Sequence, residues 1–204
     1  MKPEDIIASE DFQKCVEFHG HLCPGLTMGY KASVAGLEWL KAHRSVDEEI
    51  VAVVETDACS ADAVQVMTGC TFGKGNFIFK DHGKMAFTFF SRQSGRGVRV
   101  VLKSDALRPD EKHLKLIQKK QNGTASDAEL EEFKRQFEKR THAILEKPAD
   151  EIFDIKEAQF DPPAKAQIQP SIACSRCGEP TMESRLIDEG GLRICRGCST
   201  AFTD

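Results

Sequence analysis

The chain has 204 residues, 40% of them hydrophobic and 29% charged, with a net charge of -4. That length accommodates one full core and a small appendage, and that charge leaves no basic footprint for nucleic acid or an anionic membrane. No apolar run approaches the roughly 18 residues of a membrane span, and the opening MKPEDIIASEDF lacks the apolar stretch of a signal peptide, so a cytoplasmic protein is expected.

Residues 4–18 predict a first helix with Ile6, Ile7, Phe12, Cys15, Val16 and Phe18 on its apolar stripe and Gly20 at its end. Pro24 suits the first turn of a second helix running to about His43, with Cys23 near its N-cap. Its small residues (Gly25, Gly29, Ala32, Ser33, Ala35, Gly36) predict close packing against a sheet or a partner protomer. IVAVVET, 50–56, reads as a buried strand, and a third helix is expected from Ser60 to Met67 with Cys59 at its start. Segments 77–80, 85–90 and 98–103 read as further strands, with turns at His82-Gly83 and 95–97. Pro109 is expected to begin a helix, and Ser126 with Glu129 has capping-box spacing at the head of another reaching Leu145. Meandering strands flanked by helices predict an α+β fold, helices on a mainly antiparallel sheet. The expected divisions are a core over 1–159, an extended proline-rich linker over 160–173 and a separate unit over 174–204.

The segment FHGHLCPG, 18–25, carries two imidazoles and a thiol that no packing requirement demands. If it is extended, His19, His21 and Cys23 share one side; if it is helical, His19 and Cys23 share a face as i and i+4. Imidazole and thiolate suit a borderline-soft ion such as zinc or nickel. Cys59, like Cys23, lies at an expected helix start, where the dipole favours thiolate. His19, His21, Cys23 and Cys59 are therefore candidate ligands of an open, catalytic type of metal site, with Cys70 an additional candidate. Asp57, Asp62 and Gln65 flank Cys59 and are placed to orient ligands or substrate. Cys15 is assigned to the core, and His43, His113 and His142 to solvated helix faces. The glycine-rich loop 69–76, GCTFGKGN, resembles an anion-binding nest in which Gly69, Gly73 and Gly75 expose amides and Lys74 adds a cation, although it is not a P-loop. His19, Cys23, Cys59 and Lys74 are the candidate catalytic residues.

Cys174-x-x-Cys177 and Cys195-x-x-Cys198 have the spacing of a four-cysteine structural zinc site. Glu189-Gly190-Gly191 is expected to turn a hairpin between 184–187 and 192–194. Four basic residues (Arg176, Arg185, Arg193, Arg196) against five acidic ones (Glu179, Glu183, Asp188, Glu189, Asp204) argue against a phosphate-gripping surface.

FHGHLCPGLTMGYKAS (18–33), Asp-Ala-Cys-x-x-Asp-Ala-x-Gln (57–65) and GCTFGKGN (69–76) resemble the FmdE family of formylmethanofuran dehydrogenase proteins. The Pro-Pro-x-x-Ala linker and Cys-x-x-Cys-Gly-Glu are similar to its finger-bearing members. The resemblance implies an α+β core, a C-terminal treble-clef or zinc-ribbon finger, a homodimer and a cavity lined by the His/Cys motif. It also implies association with a molybdenum or tungsten formylmethanofuran dehydrogenase, as subunit or accessory. The chain has no pterin-binding domain and no ferredoxin-type cysteine run, hence no redox centre of its own for that reaction. A non-catalytic metal- or cofactor-delivery adapter, or a regulatory module docking through its finger, is the alternative. The cofactors expected are a structural zinc and a second zinc or other transition metal in the core, with a small anionic ligand beside it.

Overall fold

The computed structural model describes residues 2–108, 110–158 and 163–199. The chain divides into two compact units, residues 1–165 and 166–204. Pro109, the expected helix start, lies outside the described residues, as do 160–162 of the expected linker and 200–204 of the expected finger.

The first unit is organised by β1 (Ile50–Val54), in which every residue is buried. β-Branched side chains suit such a two-sided burial. β1 pairs in parallel with β2 (Phe77–Phe79) and antiparallel with β3 (Ala86–Ser91). β3 continues antiparallel to β4 (Gly97–Leu102), and β4 to β5 (Phe153–Glu157), giving the order β2-β1-β3-β4-β5. The expected mainly antiparallel α+β sheet is therefore present, with one parallel pair embedded in it. β5 escapes the sequence reading because FDIKE is short and charged, as an edge strand tolerates. Alternation sends Ala52, Val54, Phe87, Phe89, Val98 and Val100 into the main core, and Val51, Val53 and Phe90 to the other face.

The expected first helix is two. α1 (Pro3–Ile7) stops because Ser9 Oγ donates to the Ile6 carbonyl at 2.6 Å and its oxygen caps α2 (Glu10–His19) at the Phe12 amide. α2 ends on Gly20, at φ 90°. α3 (Pro24–Leu40) then runs over the sheet and beside α4 (Ser60–Thr68), the crossover between β1 and β2. Its glycines face neighbours within the chain. A Cβ on Gly29 would lie 2.1 Å from the Ser60 carbonyl oxygen, and one on Gly36 would lie 2.3 Å from the Phe89 ring. The small-residue stripe is therefore an α4 and sheet contact.

At the carboxyl end of β1, Glu55 is 5% exposed and bonds to both guanidinium nitrogens of Arg99 on β4, with His82 Nδ1 at 3.2 Å. The Arg99 guanidinium holds this carboxyl down at about 2. α5 (Glu111–Gln121) and α6 (Asp127–Glu146) follow, the latter with the expected Ser126/Glu129 capping box, and α7 (Ala149–Ile152) leads into β5. His113 is not solvated as expected. It is 4% exposed and stacks on Phe133, because α5 and α6 close over it. Among the described residues no helix is long and apolar enough to cross a membrane.

In the second unit, β6 (Ser171–Ala173) pairs with β7 (Pro180–Met182), so the end of the expected linker is a strand framing the first cysteine pair. β8 (Ile187–Glu189) and β9 (Leu192–Ile194) form the second hairpin around Gly190 and Gly191, both at positive φ. The hairpin arm expected over 184–187 starts later, because residues 183–185 form a 3-10 turn.

Gly29→Ala should lower stability by about 3 kcal/mol or more, since backbone sits where the methyl would go. Gly73→Ala, which meets nothing within 4 Å, should stay within about 0.5 kcal/mol of the parent. Urea denaturation of the two variants measures the contrast.

Candidate metal centre

The residues of the 18–25 segment take neither of the two regular conformations, extended or helical. His19 is the last residue of α2, Gly20 reverses the chain, and Cys23 is the N-cap of α3, its sulfur accepting the Leu26 amide at 3.2 Å. The tight corner brings one ligand atom each from His19, His21 and Cys23 within 4.8 Å of one another. The two imidazole rings lie 4.5 Å apart, and His19 Nε2 is 3.7 Å from Cys23 Sγ. His21 is exposed, His19 intermediate and Cys23 buried, so the cluster opens on the His21 side.

Cys59 joins from α4. It caps that helix, and its sulfur and Cys23 Sγ lie 3.6 and 3.8 Å from the same point, the Cβ position above Gly25. The two thiols also interact directly. Burial pushes the Cys23 thiol up to about 11, and the neighbouring Cys59 adds to this, while the Leu26 and Gly25 amides pull the other way. The expected thiolate-favouring effect of the helix start is thus outweighed by desolvation. A coordinated cation reverses that balance, because a metal-bound thiol deprotonates.

Asp62, in the first turn of α4, fixes His19. Its Oδ2 lies 2.7 Å from His19 Nδ1. An ionised carboxylate only accepts, so Nδ1 carries the proton and Nε2 presents its lone pair towards Cys23. A carboxylate behind an imidazole ligand is the arrangement that orients metal-binding histidines. The donor set of two imidazoles and two thiols fits zinc or a similar borderline-soft ion. Cys59 follows the carboxyl end of β1 in a parallel β1–α4–β2 unit, the place where open sheets bind ligands.

Other candidates lie elsewhere. Cys15 is fully buried and pushed up to about 12 by burial. Cys70 is also fully buried in the main core, where its thiol donates to the Ile50 carbonyl at 3.3 Å. Asp57 is exposed, and Gln65 lines a separate surface cavity with Phe18 and Arg44. The 69–76 loop departs from the anion cradle expected of it. Lys74 Nζ donates to the Val46 and Asp47 carbonyls at 3.3 and 3.1 Å, past the opposite end of α4 from Cys59. A nine-residue helix spans about 13 Å. The loop amides are also taken up internally: Thr71 donates to Asn76 Oδ1, Lys74 to Thr71 Oγ1 and Gly75 to the Phe72 carbonyl. Gly69 is required there because it sits at φ 71° with the Ser45 carbonyl 2.3 Å from its Cβ position, and Gly75 because it too has φ 71°.

In the second unit the sulfurs of Cys174, Cys177, Cys195 and Cys198 lie within 4.8 Å of one another, with Cys177 and Cys195 at 4.0 Å. A tetrahedral zinc–thiolate site has sulfur–sulfur edges of about 3.8 Å, so the set fits a structural zinc. Amides of Cys177 and Cys195 draw the Cys174 thiol down to about 6.

A family model described as "FmdE, Molybdenum formylmethanofuran dehydrogenase operon" matches residues 18–154. A "Probable S-adenosyl-L-methionine-binding protein" of Archaeoglobus fulgidus is 37% identical over 196 residues. That alignment covers 91% of this chain and 51% of the other, so the chain spans about half the length of the curated relative it matches. A solved FmdE-like protein of the tungsten formylmethanofuran dehydrogenase type, from Syntrophus aciditrophicus, has the same fold, with a TM-score of 0.62 at 23% identity. The match covers 98% of this chain and 92% of that one.

Asp62→Asn should leave the fold intact and weaken metal binding at the His19 cluster about 10- to 100-fold, read by competition with a chromophoric chelator. Asp62→Glu should recover part of the loss. Chelation should also collapse the second unit, seen as loss of amide protection over 171–199, while the β1–β5 sheet stays protected.

Proposed function

The chain belongs to the FmdE family, and on that premise we propose that it is a metal-holding accessory protein of a molybdenum or tungsten formylmethanofuran dehydrogenase. The core ion would be held by His19, His21, Cys23 and Cys59. The second unit would hold a structural zinc on Cys174, Cys177, Cys195 and Cys198 and supply a docking surface. The observation that carries this reading is the convergence of the His19, His21 and Cys23 ligand atoms within 4.8 Å, with the Cys59 thiol against Cys23.

A transition-metal ion there would act as a Lewis acid towards a carbonyl or a water molecule. The chain's own residues divide the supporting work. Asp62 keeps the proton on His19 Nδ1, Cys23 and Cys59 shield the buried side, and exposed His21 marks the side from which a ligand enters. A homodimer is part of the same proposal, carried by the family resemblance. The alternative within this reading is delivery, in which exposed His21 releases the ion to a partner. A second ligand candidate, S-adenosyl-L-methionine, rests on the 37% identity to the Archaeoglobus protein.

Metal analysis of the purified chain should give two ions, falling to one in Cys23→Ser and in Cys59→Ser and, separately, to one in Cys195→Ser. A single ion in the parent, untouched by Cys23→Ser, would sink the core-site reading. Calorimetry with S-adenosyl-L-methionine on the metal-loaded and metal-stripped protein decides the second candidate. Rapid transfer of the core ion to an apo-acceptor would favour delivery, and retention would favour a resident cofactor.

A further inference from the structure

Away from the cysteine–histidine cluster, α5 and α6 enclose a cavity of about 340 Å³. Its walls carry four cations, Lys112, Arg135, Lys139 and Arg140, against two carboxylates, Asp110 and Glu132. Both carboxylates are already engaged. Asp110 Oδ1 caps α5 by accepting the His113 amide at 2.7 Å. Glu132 accepts Lys112 at 2.9 Å, Arg135 at 2.6 Å and Gln136 at 2.7 Å. These bonds hold the Glu132 carboxyl down at about 2, so it stays an anion committed to those partners.

Two cations are left over. Lys139 has no partner among the described residues. Arg140 donates Nη2 to the Leu107 carbonyl at 2.8 Å and has no carboxylate in ion-pair range among the described residues. Burial lowers its pKa, which means that the charge sits there without the counter-charge that would settle it. The floor is rigid. Buried His113 stacks on Phe133, with ring centroids 5.7 Å apart, and donates from Nδ1 to Gln136 Oε1 at 2.7 Å. The Gln136 amide nitrogen in turn donates to Glu132.

An excess of two positive charges around a preformed hollow matches a dianion, and a guanidinium fork beside an ammonium matches phosphate oxygens. We propose that the α5–α6 cavity binds the phosphate group of a small molecule, with the Arg140 guanidinium and the Lys139 ammonium as its charged partners. The volume falls in the small-molecule range and exceeds what one phosphate fills, so a phosphomonoester is the expected form and free phosphate the other source. This site stands independently of the metal reading.

Calorimetric titration of the full chain with inorganic phosphate and, separately, with glycerol 3-phosphate tests the proposal. Binding of the ester more tightly than phosphate identifies an organic ligand, and equal affinity identifies free phosphate as the source. Arg140→Gln should weaken either probe about 10-fold or more, and Lys139→Gln should weaken it by a smaller factor. Lys134→Gln makes the same charge change at a lysine paired with Glu131, outside the cavity, and should leave affinity unchanged. Should Arg140→Gln lose its helical circular dichroism, the partner-free Lys139 carries the test alone. The absence of binding by both probes up to about 10 mM overturns the site, as does an equal loss in Lys134→Gln.

Discussion

The contact on which the rest of the molecule depends is the backbone-to-backbone approach of α3 to α4. Gly29 leaves no room for even a methyl group against the Ser60 carbonyl, and Gly25 sits with its Cβ position 3.1 Å from Cys59 Cβ. Any side chain at those glycines would push the two helix starts apart. With the glycines in place, the N-caps Cys23 and Cys59 meet over a common point. Further along α3, Gly36 lies on the Phe89 ring and so seats the same helix on the sheet. One helix thus locks the site to the core through two positions that lack side chains. Close packing of this kind is unforgiving, because interiors have little free volume to absorb a misfit.

The site is then held by charge placed around it. Asp62 reaches back from α4 to the last residue of α2, so the orientation of His19 depends on how α2 lies against α4. At the foot of the loop leading to Cys59, Glu55 is clamped by Arg99 and His82, which fixes where β1 ends. That pair is nearly out of water, and its worth lies in geometry more than in net stability, since desolvation offsets much of the attraction. Cys23 shows the opposite situation. Its thiol is disfavoured as an anion by burial, and only a bound cation would turn that environment into a favourable one.

The two units use different physics. The first has a conventional apolar core built on Phe87, Phe89, Val98 and Val100 beneath α3. The second has only short three-residue strands, and Ile194 is its one fully buried large apolar residue among those described. Such a unit is too small to fold on apolar burial alone. Four cysteines that converge on one point supply what the core cannot.

Much of this was legible in the chain itself. IVAVVET announced the central strand, the Ser126/Glu129 pair announced α6, and Gly20 and Pro24 announced the corner that carries His19, His21 and Cys23. The paired Cys-x-x-Cys spacings placed the zinc ligands, because ligand spacing within a knuckle is a local property. Other readings required distances between remote residues. The 69–76 glycines resemble a nest in sequence, yet their need arises from the Ser45 carbonyl and from tight turns, and Lys74 is turned to carbonyls on the 46–47 segment. His113 looked solvated on an amphipathic helix until α6 folded over it. The sequence by itself determined which residues could serve as ligands and where helices begin and end, since those follow from side-chain chemistry and local backbone preference. Only the tertiary structure decided that Cys59 and Asp62 join the corner while Cys70 and Lys74 do not. That choice depends on how α4 packs under α3, and no local spacing along the chain encodes it.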